Sequence, residues 1–256
     1  PALLTSVSDK TISLHYMNYM SGVNTASAAF NWMFKQKGCF AASAQYINYG
    51  TMKEMDENNV QQGEFSAKDL SFAGYFSYLL TNKLSGGITA KFITSYIGSY
   101  NSIAMGVDLG LNYYDEDDDL SVGLVCKNLG GQLKAYNDDF ESMPIDVQLG
   151  VSKRLSHSPF RLSATLVDLN HWDYGFINHL VAGVDIILSP SIWVGGGYNF
   201  RRAHEMKITN GEDESSHGAG LSFGAGINLE RFKVNVAYGK YHVSSSSLLL
   251  NVAYSL

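Results

Sequence analysis

Few side chains in this sequence are spaced for catalysis. His171 and His179 lie eight residues apart around a turn with Asp173 between them. A loop histidine beside a carboxylate is more often a solvated or hydrogen-bonding group than a base, because a base also needs a substrate proton within reach. The run Asp115-Glu116-Asp117-Asp118-Asp119 invites a calcium reading, yet it lacks the spaced ligands and central glycine of an EF-hand loop. It reads more simply as a charged stop between two strands. Cys39 and Cys126 cannot form a disulfide framework, and no Cys/His group has zinc-ligand spacing. No enzyme activity, cofactor or metal is expected. A formal net charge of −6 leaves no basic footprint for nucleic acid.

What must be positioned is therefore a surface or a lumen, and periodicity says which. On one stretch Ile103, Met105, Val107, Leu109, Leu111 and Tyr113 alternate with Ala104, Gly106, Asp108, Gly110 and Asn112. The same alternation runs through Ala219–Leu229, Phe232–Gly239 and Leu248–Leu256. A period of two held for about ten residues means long strands with one apolar face. Globular strands average about 5–6 residues, whereas a tilted strand crossing a bilayer needs about 9–11. Further segments of this kind start near Ile12, Asn24, Phe40, Leu70, Leu84, Leu120, Ile145, Phe160, His179 and Ile192. Together they make about fourteen strands, an even number as in bacterial single-chain barrels. No segment has helical periodicity, and the nearest thing to a spanning helix, Leu180 to Leu188, is short and interrupted by Asp185. In hydrocarbon a sheet can have no free edge, so closure into an antiparallel transmembrane β-barrel follows. Residues 1–256 read as a single barrel domain.

Connection lengths agree. With both termini placed on the periplasmic side of a bacterial outer membrane, the turns near Lys35, Thr81, Glu116, Ser156, Pro190 and Glu230 are short. The outward connections Gly50–Glu64, Leu129–Pro144, Asn170–Phe176 and Arg201–His217 are long. Tyr78, Tyr113, Tyr254, Phe160 and Phe232 fall at the periplasmic ends of the apolar face. Tyr46, Tyr96, Tyr198 and Phe200 fall at the outer ends. These are expected to form two interfacial girdles.

Two groups of residues carry the functional reading. Facing the lumen, Lys91 and Asp108 lie on neighbouring strands, as do Lys127 and Asp146, with Arg161 one strand further. They can be a selective lining or, more simply, a structural charge network in a narrow, mostly filled barrel. Many other lumen positions are Gly, Ala or Ser, which lets a plug or a folded-in loop pack closely. In the outer loops, Met52, Met55 and Val60, then Leu133, Tyr136, Phe140 and Met143, then Trp172, Tyr174 and Phe176 are more large apolar side chains than a solvated loop needs. Either they dock a surface partner or they fold inward as a lid.

The segments Lys127-Asn128-Leu129-Gly130-Gly131, Asp168-Leu169-Asn170-His171-Trp172, Tyr198-Asn199-Phe200-Arg201 and Tyr238–His242 with Leu248–Asn251 resemble the PorV/PorQ family of the type IX secretion system, nearer its PorQ branch. The resemblance covers nearly the whole chain and implies a barrel similar to the fourteen-stranded fatty-acid channels. It also implies a PorZ-like surface protein as partner and, through it, PorU and PorV, in the complex that joins secreted cargo to lipopolysaccharide. Outer-membrane lipid or lipopolysaccharide is the expected surrounding. Pro1-Ala2-Leu3-Leu4 resembles a stretch that in the family follows a signal peptide and an N-terminal segment, and both are expected to be missing here. The alternative function, from fold analogy, is a channel for hydrophobic small molecules.

Overall fold

The computed structural model describes residues 1–34, 37–137, 139–210 and 213–256. Among them, fourteen strands close into one antiparallel barrel. Its strands are β1 (Thr11–Asn18), β2 (Asn24–Phe34), β3 (Gly38–Met55), β4 (Gln61–Leu79), β5 (Leu84–Ile97), β6 (Tyr100–Asp115) and β7 (Leu120–Lys134). They continue with β8 (Asp146–Arg154), β9 (Phe160–Leu166), β10 (Leu180–Ser189) and β11 (Ile192–Asn199). A helix α1 (Phe200–Glu205) and a small hairpin, β12 (Ile208–Asn210) with β13 (Asp213–Ser215), come next. The wall resumes with β14 (Leu221–Asn228), β15 (Phe232–Gly239) and β16 (Ser247–Ser255). Closure is by β1 on β16, with Thr11 opposite Ser255 and Asn18 opposite Leu248. The expected strand count holds. Asn24, Leu84, Leu120, Phe160 and Ile192 are the first residues of their strands, as the alternation predicts.

The packing is inverted relative to a water-soluble protein. Among the described residues the buried apolar side chains are alanines and Cys39, whereas Met105, Leu109 and Leu111 on β6 and Phe223 and Ile227 on β14 lie open on the outer face. Phe223 is 56% exposed. Removing such a side chain from water is worth about 1.5–3 kcal/mol. A wall of them left open to water far exceeds the patches that soluble monomers tolerate. Such a face suits acyl chains, and closure leaves the described wall strands no free sheet edge in them.

One rim carries both ends of the described chain. Its connections are short: 80–83, 116–119, 155–159, 190–191 and 229–231. The turn expected near Lys35 lies outside the described residues. Just above this rim Phe30, Trp32, Phe40, Phe76 and Tyr78 form a continuous run of ring contacts, with centroids 4.8 to 6.5 Å apart. Trp32, Phe40 and Phe76 are direct cross-strand partners. Phe232 and Tyr254 form a second such pair at 4.6 Å. At the opposite rim Tyr198 meets Phe200 edge-on at 4.9 Å, although Phe200 opens α1 instead of ending a strand.

The opposite rim has the long connections 135–145, 167–179, 200–220 and 240–246, with two short exceptions at 19–23 and 98–99. One expected loop is not a loop. Residues 50–64 continue β3 and β4 as a ribbon to a turn at 56–60. There the Asp56 carboxylate accepts from the Asn58 and Val60 amides, both at 2.8 Å. Apolar alternation fails beyond Tyr46 because the ribbon has left the wall, while its hydrogen-bonded pairing continues. Likewise β7 runs on to Lys134, five residues past the expected exit at Leu129. Short helices also form where none was expected: α1 and three single-turn segments, Ala2–Ser6, Met20–Gly22 and Phe176–His179.

Candidate functional site

The lumen and the long-loop rim are the two places where functional side chains gather. In the lumen Lys91 on β5 and Asp108 on β6 form an ion pair of 2.7 Å. Asn128 completes it. This residue sits at a bulge in β7 with φ +61°, where its N–H donates to Asp108 and its side-chain oxygen accepts from Lys91 Nζ at 2.8 Å. Its amide nitrogen donates to the Pro144 carbonyl, so the bulge ties the lumen pair to the β7–β8 loop. Arg161 pairs with Asp185 at 2.8 Å, directly across the ladder.

Lys127 and Asp146 do not meet, although they are register partners. Lys127 Nζ donates to Gln148 Oε1 at 3.0 Å, and the Gln148 amide donates to Asp146. The Asp146 carboxylate also accepts from the Asp168 backbone N–H, which turns it toward the rim and away from the lysine.

Parts of the remaining lumen are filled. At the terminal rim the helical turn Ala2–Ser6 enters the barrel. The Ala2 carbonyl accepts from the hydroxyls of Ser77 and Ser85, both at 3.0 Å. Gly87 and Gly110, direct cross-strand partners, provide the surface on which Pro1 and Ala2 lie. A Cβ at Gly87 would stand 2.6 Å from the Ala2 nitrogen. Trp193 packs across Gly224 and Gly226 on the other side. Between plug and mouth remains a cavity of about 320 Å³, reached by Tyr75, Thr89, Asp108, Lys127, Gln148 and Thr165. The small lumen residues noted in the sequence accommodate this packing.

The mouth is stitched by two arginines of α1. Arg201 donates to Asp168 and to Glu205, the latter at 2.8 Å, and lies over the Tyr174 ring at 4.5 Å. His171 Nδ1 lies 2.9 Å from the other Asp168 oxygen. Arg202 covers the Tyr241 ring at 4.4 Å and donates to its carbonyl. Loops β9–β10 and β15–β16 are thereby fixed to α1. Burial pushes the Asp168 carboxyl up, but hydrogen bonds from His171 and Arg201 outweigh it and hold the group below the usual carboxylate range. His171 thus faces Asp168, not Asp173. His179 is fully buried, with Nδ1 2.8 Å from the Val167 carbonyl and its ring 4.7 Å from Trp172. The two histidines do not form a pair.

The outer-loop residues divide. Met143 folds into the lumen against Gly106, and Tyr174 serves Arg201. Leu133, Phe140, Trp172 and Phe176 stay open, with Phe140 66% and Trp172 57% exposed. Tyr136 is half-buried. Met52, Met55 and Val60 are exposed on the ribbon. Exposed apolar side chains and an inward-folded one are therefore both present, on different residues.

Sequence reasoning missed Asn128 as the hub, Gln148 as the bridge and Asp185 as the partner of Arg161. Asp185 was visible as the one charge in an apolar run. Sequence reasoning also wrongly finds no Gly-x-Ser-x-Gly nucleophile elbow, since Gly220-Leu221-Ser222-Phe223-Gly224 has that spacing. The structure places this serine on the wall strand β14, its hydroxyl donating to the Gly197 carbonyl. The acidic run 115–119 is a turn braced by lysines: Lys83 reaches Asp115 at 2.7 Å and Lys153 reaches Asp118 at 3.7 Å. Among the described residues no group of three potential metal ligands converges.

No protein-family model matches the sequence, and no curated protein does. Solved structures do. The toluene transporter TodX of Pseudomonas putida matches with a TM-score of 0.60 at 11% identity, over 99% of this chain and 90% of that one. The CymD monoaromatic hydrocarbon channel matches with a TM-score of 0.62 at 12% identity, over 99% and 90%. A Pseudomonas aeruginosa FadL homologue gives 0.55 at 9% identity, over 100% and 92%. At these identities the likeness is one of fold: a closed fourteen-stranded barrel of the same class as these channels. None of these matches assigns the chain to the PorV/PorQ family.

Proposed function

We propose that this chain is an outer-membrane barrel whose lipid-facing wall anchors it and whose long-loop rim, turned to the cell surface, holds a partner protein. Both chain ends then face the periplasm. In its finer form, resting on the sequence resemblance, the partner is PorZ-like, linked through it to PorU and PorV in the type IX attachment complex. One observation carries the reading: Ala2–Ser6 and Met143 lie in the lumen from opposite ends, while Trp172 and Phe176 stand exposed on the β9–β10 loop that Arg201 fixes to α1, and Leu133 and Phe140 stand exposed at the end of β7 and on the β7–β8 loop. Exposed apolar anchors on an ordered rim are what a protein interface needs. Purification from native membranes is the direct test. A surface protein retained by the barrel and lost in Trp172→Ala and Phe140→Ala variants supports the reading; a barrel that comes out alone contradicts it.

A second reading, a channel for hydrophobic small molecules, has the fold likeness on its side. TodX and CymD are by name a toluene transporter and a monoaromatic hydrocarbon channel, and they speak for this reading more directly than for the first. Against it stand Asp108, Lys127 and Gln148 beside the cavity, since an apolar solute would have to displace their hydration. Flux of a monoaromatic solute into liposomes that contain the barrel separates the two: uptake above that of empty liposomes favours the channel, and its absence favours the anchor.

A further inference from the structure

The β3–β4 ribbon has an edge that the barrel does not use. Along the wall β4 is paired on both sides, but its pairing with β5 begins only at Ala67 opposite Ile97, with a last bond from the Gly98 N–H to the Ser66 carbonyl at 2.9 Å. From Ser66 out to Gln61, β4 pairs with β3 alone. Backbone direction alternates along a strand. Because the Ser66 carbonyl turns toward β5, the N–H and C=O groups of Glu64 turn the same way, where the described residues supply no strand, up to a bulge at Gln62 where the β3–β4 register shifts. An open row of this kind is a template for another strand.

The chemistry beside the edge selects what can join it. Residues 49–66 carry Lys53 against Glu54, Asp56, Glu57 and Glu64, so a second copy of the ribbon would be repelled. An open groove of about 590 Å³ lies between this edge and the β5–β6 turn, lined by Glu54, Glu64, Phe65 and Tyr100. Two carboxylates beside two aromatic rings suit a guanidinium or ammonium on an apolar stem. Asp56 is already engaged by the turn amides and by Gln62, which leaves Glu54, opposite Gly63, and Glu64, opposite Lys53, to recognise the charge.

We infer that this edge takes up an extended, basic segment of a protein partner as an added strand, with an arginine or lysine side chain in the Glu54–Glu64 groove. The inference deepens the anchoring reading and rests on its orientation, with the ribbon outside the cell. It supplies a mode of contact, backbone pairing at the ribbon, that the apolar rim alone does not.

The test uses the full barrel in lipid nanodiscs and three synthetic probes: a short peptide alternating Arg with Thr, its Glu-for-Arg twin, and the Arg peptide N-methylated at alternate amides. The expected result is saturable binding of the Arg peptide, amide-exchange protection at Gln62–Ser66, and no binding of the other two. Affinity should fall as salt rises, and by roughly fivefold to tenfold in the Glu54→Gln/Glu64→Gln double variant. Equal binding of the N-methylated peptide, or binding without protection at Gln62–Ser66, overturns strand addition without requiring any altered barrel to fold. Pairing of two barrels through the ribbon would overturn the choice of occupant. Partner retention in Trp172→Ala judges the anchoring reading separately, so either can fail while the other stands.

Discussion

A charge inside a narrow barrel has to be matched where the strand stagger allows, and three lumen cations meet that demand in three ways. Lys91 has a direct ion pair, Arg161 a cross-strand carboxylate, and Lys127 only an amide. Alternation revealed that these side chains share the lumen face, but it could not choose among partners, because that depends on bulges such as the one at Asn128 and on loops that claim Asp146. At the mouth, Arg201 makes charge-assisted hydrogen bonds to two carboxylates, so Arg201→Ala should favour local opening of residues 167–179 by about 1.5–3 kcal/mol, read as faster amide exchange there with the wall unchanged. The same cap should respond to acid. The Asp168 carboxyl is held down in the folded protein, so its contribution is present above the ordinary carboxylate pKa of about 4 and is lost as pH falls through the lowered value. Amide exchange in residues 167–179 should therefore accelerate, beyond its intrinsic pH dependence, below about pH 4; protection unchanged down to pH 2–3, about the foot of the carboxylate range, would contradict this.

Strands were legible wherever they cross the membrane and illegible wherever they leave it. The β5, β7, β9 and β11 starts follow from alternation alone, since lipid on one side and lumen on the other enforce it. The outer halves of β3 and β4 face water on both sides, so hydrophobicity carries no period there and only the pairing shows them as strands. The segments that resemble the PorV/PorQ family now have places: Lys127–Gly131 contains the lumen hub, and Asp168, Arg201 and Tyr241 belong to the mouth network. The wall assignment makes a direct demand. Phe223→Arg on the outer face of β14, or Val107→Arg on that of β6, should cost roughly 2–4 kcal/mol near mid-bilayer, and Asn228→Arg on the lumen side less, measured by reversible unfolding in lipid. The plug makes another. Gly87→Val puts side-chain atoms where Pro1 and Ala2 lie, so the N-terminal turn should be displaced and ion conductance through the barrel should rise; a variant as tight as the parent would mean that the turn does not limit passage.

For the molecule as a whole, an apolar exterior and a hydrogen-bonded polar interior are one arrangement seen from two sides. The alternation that sends Phe223 outward also sends Ser222 and Gly224 inward, and the small residues it places there make room for Trp193 and the terminal turn. Anchoring needs only the exterior, whereas conduction needs the interior to open, and plug and mouth contacts both work against opening. All of this rests on which side chains meet lipid. Fluorophores placed one at a time on single cysteines at Val107, Asp108, Leu109, Phe223 and Gly224 in a cysteine-free barrel, reconstituted with nitroxide-labelled acyl chains, measure that directly. Strong quenching at Val107, Leu109 and Phe223 with weak quenching at Asp108 and Gly224 is the expected result. Uniform quenching along both strands, or a protein that stays monomeric in water without detergent and is not quenched at all, would contradict it.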